Sequence, residues 1–295
     1  MLSSAANPRV SVAIVSWNTR VALRECLTAL FASTGVALEV FVVDNASGDL
    51  SAEMVTREFP QVFPITNATN VGFARAANQA LRRMTGDYWV LLNPDTQVAP
   101  DALAILARFL ADHPDTGACG PRLLHTDGRL QPNGGRFPSL LALFLTAARL
   151  RHLNLAAYDR CFRWGREEFT ITVPVDQVSG ACLMVPRAVA KRVGLLDERF
   201  FLYYEEVDWC RRIADAGLWV YYVAEAKVRH RWGESTRQIG FTALRHLFES
   251  EYLYFRKHAP RWQRPLAWLL TRLEIAQYAA ADWWRRRVKS TGGPA

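Results

Sequence analysis

"VSVAIVSWNTRVALRECLTALFASTGVALEVFVVDN", residues 10–45, carries the reading on which the fold depends. Two runs rich in β-branched and aromatic residues, 10–16 and 38–44, flank a segment whose apolar residues recur at helical spacing. The unit continues downstream, with "VFPIT" at 62–66 and "YWVLL" at 88–92 each followed by another helical pattern. Such alternation predicts βαβ units and a mostly parallel, buried sheet flanked by helices. Ligands of open parallel sheets bind beyond the carboxyl ends of the strands. Chemistry is therefore expected at the polar residues that follow each run, namely Asn18, Asp44, Asn70 and "NPD" at 93–95.

Downstream of Pro100 a helix is expected over 101–113, then a strand and a Gly/Pro-rich hairpin within "GACGPRLLHTDGRLQPNGGRFPS". The regular alternation should end there. Residues 169–187 read as strand, turn, strand, and 217–230 as a strand leading into a loop that ends at His230.

Half of the 295 residues are hydrophobic and 22% are charged, the balance of a folded globular chain. The five cysteines, Cys26, Cys119, Cys161, Cys182 and Cys210, form no CxxC pair and leave an odd thiol under any disulfide scheme, which favours reduced thiols in a cytoplasm. The N-terminus lacks a signal-peptide h-region, so the Asn-x-Ser/Thr matches at Asn45 and Asn67 read as accidental. No apolar run reaches the roughly 18 residues of a membrane span. The net charge of +8 points to anionic partners.

That charge is concentrated. Between Arg256 and Lys289 stand nine Lys or Arg against Glu274 and Asp282, interleaved with Trp262, Trp268, Trp283 and Trp284. A helix of this composition suits an anionic membrane interface, or else packs on the body and presents a solvated basic face. Nucleic acid is not expected, because no recognised binding motif accompanies the basic stretch.

Neither a GxGxxG after the first strand nor a GxxxxGK[ST] is present, so phosphates need another device, and a divalent cation can neutralise a diphosphate without a glycine cradle. Asp95, aimed by the stiff ring of Pro94, is one candidate ligand, although Asn-Pro-Asp is also ordinary turn chemistry. His230 is a second, with Gly233, Ser235 and Thr236 in a loop able to close over phosphate. One Asp, one His and two diphosphate oxygens would complete a Mg²⁺ or Mn²⁺ shell.

Taken together, "AIVSWN", "VVDNASGD", "NVGFARAAN", "LLNPD", "GACLMVPR", "FLYYEEVDWCRR" and "HRWGEST", in this order, resemble the family 2 inverting glycosyltransferases, and within them the rhamnosyltransferase-like branch. The resemblance spans residues 10–240. It implies a GT-A fold, α/β with a Rossmann-like sheet, over 8–240; beyond that the composition alone predicts a C-terminal extension of amphipathic helices over 241–295. The resemblance also implies that Ser16, Trp17, Asn18 and Asp44 hold the nucleotide base and ribose. Asn70, Gly72, Arg75 and Asn78 would lie beside the nucleotide sugar, with Asn93 at the ribose and Asp95 on the metal. Gly180 and Ala181 would line the pocket on the acceptor side. The usual first acid of the family's metal motif is replaced by Asn93, which lowers the charge of the site.

In the same resemblance the base of a single in-line displacement falls in the pair Glu205–Glu206. Alignment on "EEVD" favours Glu206, with Glu205 as the alternative, and leaves Asp208 to support the following helix through Arg212. The expected enzyme is a metal-dependent inverting transferase, cytoplasmic and peripheral at the inner membrane face. Its donor would be dTDP-rhamnose, or else a UDP-hexose or UDP-galactofuranose, and its acceptor a saccharide or a polyprenyl-linked saccharide. A non-catalytic sugar-nucleotide-binding relative would need no base, and a nucleotidyltransferase would carry a Gly-rich phosphate loop where "SWNTR" stands.

Overall fold

The computed structural model describes residues 7–150, 169–231, 238 and 240–291. Strand β1 (Arg9–Ser16) lies inside the sheet between β2 (Ala37–Asp44) and β4 (Tyr88–Leu92), with β3 (Phe63–Thr66) beyond β2, and all of these pairings are parallel. The register puts Ser16 opposite Asp44 and Asp44 opposite Thr66, while Ile14 faces Leu92. Four strands therefore end along one edge, where the polar residues gather.

Helices α1 (Arg20–Phe31), α2 (Ser51–Glu58) and α3 (Phe73–Leu81) make the crossovers. Period-2 alternation divides the buried side chains of β1 between two cores. Val10, Val12 and Ile14 pack with Leu23 and Leu27 of α1 and with Leu103 and Leu106 of α4 (Ala102–Asp112). Ala13 and Val15 pack with Ala74, Ala77 and Ala80 of α3. The small α3 residues let that helix sit close over the edge that carries the site. Leu27 is fully buried, so Leu27→Ala should cost about 2–5 kcal/mol.

Beyond α4 the alternation ends, as expected. Strand β6 (Thr116–Leu124) turns through residues 125–129 into β7 (Leu130–Gln131), an antiparallel hairpin. Residues 169–187 do form two strands, β8 (Val173–Val175) and β9 (Cys182–Pro186), but these do not pair with each other. Instead β9 inserts antiparallel between β4 and β6, and β8 joins β10 (Trp219–His230). Helices α6 (Arg187–Val193) and α7 (Glu205–Asp215) follow β9.

One expectation is corrected: the segment up to His230 is strand to its end, not loop. A register shift between Val223 and Lys227 lets β10 continue past a bulge, and its last residues find antiparallel partners in β5 (Thr96–Val98), with His230 opposite Thr96. That pairing supplies the backbone bonds a loop would have left to water.

Helix α5 (Leu140–Ala147) packs against α8 (Phe241–His258) and α9 (Arg264–Thr291) around Leu143, Ala147, Phe255, Ala267 and Leu270. Among the described residues no helix is long and apolar enough to cross a membrane.

Candidate active site

The stretch 201–208 rests on unusual backbone. Tyr203 and Tyr204 both adopt left-handed φ, 69° and 70°, immediately before Glu205 opens α7. Such residues cost on the order of 1–3 kcal/mol each and persist only where the surroundings hold them. Glu205 is buried, and Glu206 is half-buried against Gly180, where a Cβ on the glycine would lie 3.6 Å from Glu206 Cβ. Burial pushes both carboxyls above the ordinary carboxylate range. Glu205 goes well above it because the neighbouring Glu206 charge adds to desolvation, whereas backbone hydrogen bonding around Gly180 and Val207 partly offsets the rise at Glu206. Each carboxyl keeps one buried oxygen without a hydrogen-bond partner.

Asp208 has a different part. It is fully buried and accepts from Arg212 at 2.9 Å, while Lys257 and His258 of α8 each reach its other oxygen at 2.7 Å. Burial alone would raise its pKa, but the bonds from His258 and Lys257 and the charge of Arg212 outweigh that and hold the carboxyl below its usual range.

At the sheet edge Asp44 Oδ2 accepts from the Ser47 N–H, while its buried Oδ1 has no partner. The Ser16 hydroxyl is buried and spent on Thr19, 2.9 Å away. Asn18, at φ 51°, accepts from the Gly48 N–H and so ties the loop after β1 to the loop after β2. Trp17 lines a cavity of about 250 Å³ together with Asn45, Asn70, Gly72, Phe201 and His246. Asn45 organises that wall: its amide donates to Asn70 Oδ1 and its oxygen accepts from Asn67 and from the Val71 N–H. Its place directly after Asp44 in "VVDNASGD" is the sequence signal that could have pointed to this role.

Two residues expected beside the donor face elsewhere. The Asn78 side chain is buried and consumed by the Leu196 backbone, at 2.9 and 3.1 Å, and by Glu198, while Arg75 is 58% exposed and pairs with Glu198 at 3.4 Å. Both therefore bracket the 196–198 segment. Gly72 likewise meets protein where the nucleotide sugar was expected. At φ +84° any Cβ there would fall 2.7 Å from the Phe201 carbonyl, which accepts from the Phe73 N–H at 2.7 Å. Only glycine lets the start of α3 seat the base-bearing turn so closely.

Between these groups lies the link through β4 and β9. The Asn93 N–H donates to the carbonyl of buried Ala181, next to Gly180, and the Asn93 carbonyl accepts from Thr96. Two residues on, Asp95 and His230 are both buried, with Oδ1 and Nε2 3.3 Å apart. They are close enough to interact yet not aligned for a hydrogen bond, so Nε2 is left without a hydrogen-bond partner. A buried Asp oxygen and a buried His nitrogen this close are of the types that bind one cation together. Gln131 lies 3.1 Å from His230 Nδ1 and has a buried amide oxygen without a partner. The atom at that distance is the amide nitrogen, and an amide flip would set the unpartnered oxygen against Nδ1–H and free the Nε2 lone pair for a cation. Among the described residues no three His, Cys, Asp or Glu converge on a metal position, so substrate oxygens would have to complete a shell. Gly233, Ser235 and Thr236 lie outside the described residues. Sequence reasoning also passed over Arg231, whose N–H donates to the Asp95 carbonyl and whose guanidinium pairs with Glu25. With Arg229 it gives the concavity beside Asp95 a cationic wall.

The four described thiols that lie in the fold, Cys26, Cys119, Cys182 and Cys210, are buried and unpaired. Burial pushes Cys26, Cys182 and Cys210 up to about 12, which makes them inert packing residues. Cys161 lies outside the described residues.

Comparison with known proteins places this geometry. The chain is 30% identical over 88% of its length to an N-acetylglucosaminyl-diphospho-decaprenol L-rhamnosyltransferase of Mycobacterium tuberculosis, and covers 88% of that protein. Among solved structures it resembles the mannosyltransferase PcManGT of Pyrobaculum calidifontis in complex with GDP-Man and Mn²⁺, with a TM-score of 0.60 at 20% identity over 98% of this chain and 77% of that one. It also resembles GalNAc-T7 with UDP, GalNAc and Mn²⁺, with a TM-score of 0.59 at 16% identity over 84% of this chain and 50% of that one. These likenesses identify the sheet and its helices as a GT-A fold. The profile described as Glycosyl transferase family 2 matches residues 11–172, and on that match together with the 30% identity to the mycobacterial relative the chain belongs to that family.

Proposed function

We propose that this glycosyltransferase is metal-dependent and inverting, and moves rhamnose from dTDP-rhamnose to a lipid-linked saccharide such as a polyprenyl-diphospho-N-acetylglucosamine. The observation that carries the reading is the continuous line from Glu206 over Gly180, through the Ala181–Asn93 bond, to Asp95 and His230. It connects a candidate base to a candidate cation site through a short chain of adjacent contacts, which supports assigning them to one reaction. The sugar and the acceptor follow the activity of the mycobacterial rhamnosyltransferase relative.

In this reading the acceptor hydroxyl lies at Glu206, whose carboxylate takes the proton as the hydroxyl oxygen bonds to the anomeric carbon. The bond from that carbon to the diphosphate breaks on the opposite face, the electron pair leaves with the nucleoside diphosphate, and the configuration inverts. Glu205, sealed beneath, keeps its proton, because two adjacent buried carboxylates cannot both ionise cheaply. Asp44 Oδ1 accepts the imide N–H that uracil and thymine share, so it binds the base without telling the two apart. Asp95 and His230 would hold Mg²⁺ or Mn²⁺, which supplies charge neutralisation at the diphosphate. Asn93 would meet the ribose, and Arg231 and Arg229 add positive charge beside Asp95.

Residues 8–240 serve as the transferase domain, and the extension from 241 carries a face suited to an anionic membrane. Its exposed apolar residues include Trp262, Trp268 and Leu269, and Leu141 and Phe144 of the packed helix α5 are exposed as well. The exposed charged residues described from 261 to 291 are Arg261, Arg272 and Arg287, with no acid among them. Two copies of such a face would oppose arginine to arginine, whereas an anionic bilayer complements it. A donor screen tests the assignment: nucleotide release from dTDP-, UDP- and GDP-sugars, with the lipid-linked acceptor, with and without Mn²⁺. The expected result is turnover with dTDP-rhamnose that needs the cation. Preferential use of a UDP-hexose or UDP-galactofuranose would replace the donor, and no turnover with any donor would sink the transferase assignment.

A further inference from the structure

Helix α8 follows the last sequence motif of the family resemblance, yet one stripe of it grips the turn that carries the base. Residues 246, 250, 254 and 257–258 share a helical face. His246 stacks on Phe201 at 4.6 Å between ring centroids, the Ser250 hydroxyl donates to the Leu202 carbonyl at 2.9 Å, and the Tyr254 ring lies 5.9 Å from that of Tyr204. Beside them Glu251 accepts from the Tyr204 hydroxyl at 2.8 Å. Lys257 and His258 close the grip on Asp208, and Lys257 also reaches Asp197 at 2.8 Å. These contacts run along the two residues at left-handed φ, Tyr203 and Tyr204, and into the first turn of α7. On the opposite side the same turn is seated on Gly72 and Phe73.

We infer that α8 is the positioning element for the base, and that Glu251, acting through Tyr204, is the residue that fixes where the carboxylates of Glu205 and Glu206 stand. This inference rests on the transferase reading for its effect on rate, but not for its effect on the turn. The left-handed pair has no glycine to relieve it, so the turn relaxes unless something outside it holds its carbonyl and its ring. Ser250 holds the first and Glu251 the second. Glu251 touches no reacting atom in this reading, which makes it a positioning and not a catalytic residue.

The test uses the full chain carrying Glu251→Ala, Glu251→Gln or Ser250→Ala, with kcat, donor KM, nucleotide Kd, Tm and amide hydrogen exchange measured on each. A base displaced by about 1 Å can cost on the order of 100-fold in rate, so Glu251→Ala should lower kcat by roughly 10- to 100-fold with KM and Kd little changed. Glu251→Gln keeps an oxygen for the Tyr204 hydroxyl and should recover most of that loss. Exchange should quicken across residues 202–206 in Glu251→Ala and stay slow in α3. Unchanged exchange at 202–206 overturns the inference whatever the activity. So does a Gln variant as impaired as the Ala variant, or a loss of nucleotide affinity and Tm in step with kcat, since those mark a plain structural role. Absence of turnover in the wild type would count against the transferase reading alone, because the exchange measurement stands without it.

Discussion

Asp208→Asn isolates what joins the base-bearing helix to the C-terminal extension. The carboxylate is 0% exposed and meets three cationic or potentially cationic side chains, Arg212 at 2.9 Å and Lys257 and His258 at 2.7 Å. An exposed pair would be worth ~0–1 kcal/mol, but removing one partner of a buried ion pair leaves uncompensated charge and typically costs ~3–5 kcal/mol. Asparagine keeps the size and removes the charge, so the loss reports electrostatics and not a cavity. For a chain of this size, ~1 kcal/mol shifts Tm by roughly 2–4 °C, and the variant should melt roughly 6–20 °C below the wild type at pH 7. The pH dependence follows from the depressed pKa of Asp208. Its contribution is fully present above the ordinary carboxylate pKa of about 4 and is lost as pH falls through the lower folded value, so the two melting curves should converge in acid. Thermal scans from pH 3 to pH 8 measure this directly. A Tm difference under about 2 °C at pH 7, or one that widens in acid, would refute the reasoning.

Glu206→Gln should reduce transfer by at least about 100-fold while nucleotide binding persists, and full activity would remove Glu206 from its assigned role. EDTA should abolish turnover and Mn²⁺ or Mg²⁺ restore it, with Asp95→Ala losing Mn²⁺ binding by calorimetry; activity indifferent to chelation would remove Asp95 and His230 from theirs. Glu274, 1% exposed and with both carboxylate oxygens lacking a hydrogen-bond partner, has its pKa pushed up to about 8 by burial and by nearby Glu251. Its fold holds the proton longer than the unfolded chain does, so ionisation erodes stability as pH rises from about 4 toward 8. Glu274→Gln should therefore be the more stable protein at pH 8.5 and lose that advantage near pH 4, and an unchanged Tm at alkaline pH would contradict this. Leu141→Glu combined with Phe144→Glu should weaken sedimentation with anionic vesicles, and equal binding by both proteins would point to a surface that does not contact lipid.

The part of the fold legible in the sequence is the part set by local pattern. The four parallel strands and their crossover helices announce themselves because a period-2 apolar run and a 3.6-period run alternate within short windows. After His113 the partners are distant, and local pattern is silent about distance. Nothing within residues 169–187 says that β9 will enter between β4 and β6 while β8 leaves for β10. The extension of β10 to His230 was equally hidden, since its end is stabilised by β5, more than a hundred residues earlier in the chain.

The same division runs through the site. Asp44, Asp95 and Glu206 could be proposed from the sequence because strand ends and an acid-rich helix start are local features, and because the order of seven motifs restricted the choice. The groups that hold them could not, because their significance lies in contacts at long separation: Gln131 with His230 across 99 positions, and Tyr204 with Glu251 across 47. Asn78 shows the converse error. It sits within a motif that implies donor contact, but its side chain has both polar ends committed to residues 196–198, 118 and 120 positions away, so its amide is not free to meet a sugar. Motif position thus carries a residue to the neighbourhood of the cleft, and the direction of its hydrogen bonds decides whether it serves substrate or scaffold. By that criterion Asp44 Oδ1, His230 Nε2 and one oxygen of Glu206 are alike, each a buried polar atom without a hydrogen-bond partner. A fold that leaves such groups unmatched incurs a desolvation cost for each. A nucleotide imide, a cation and an acceptor hydroxyl would relieve all three at once, which is why binding of donor and acceptor should order these groups more than it moves them.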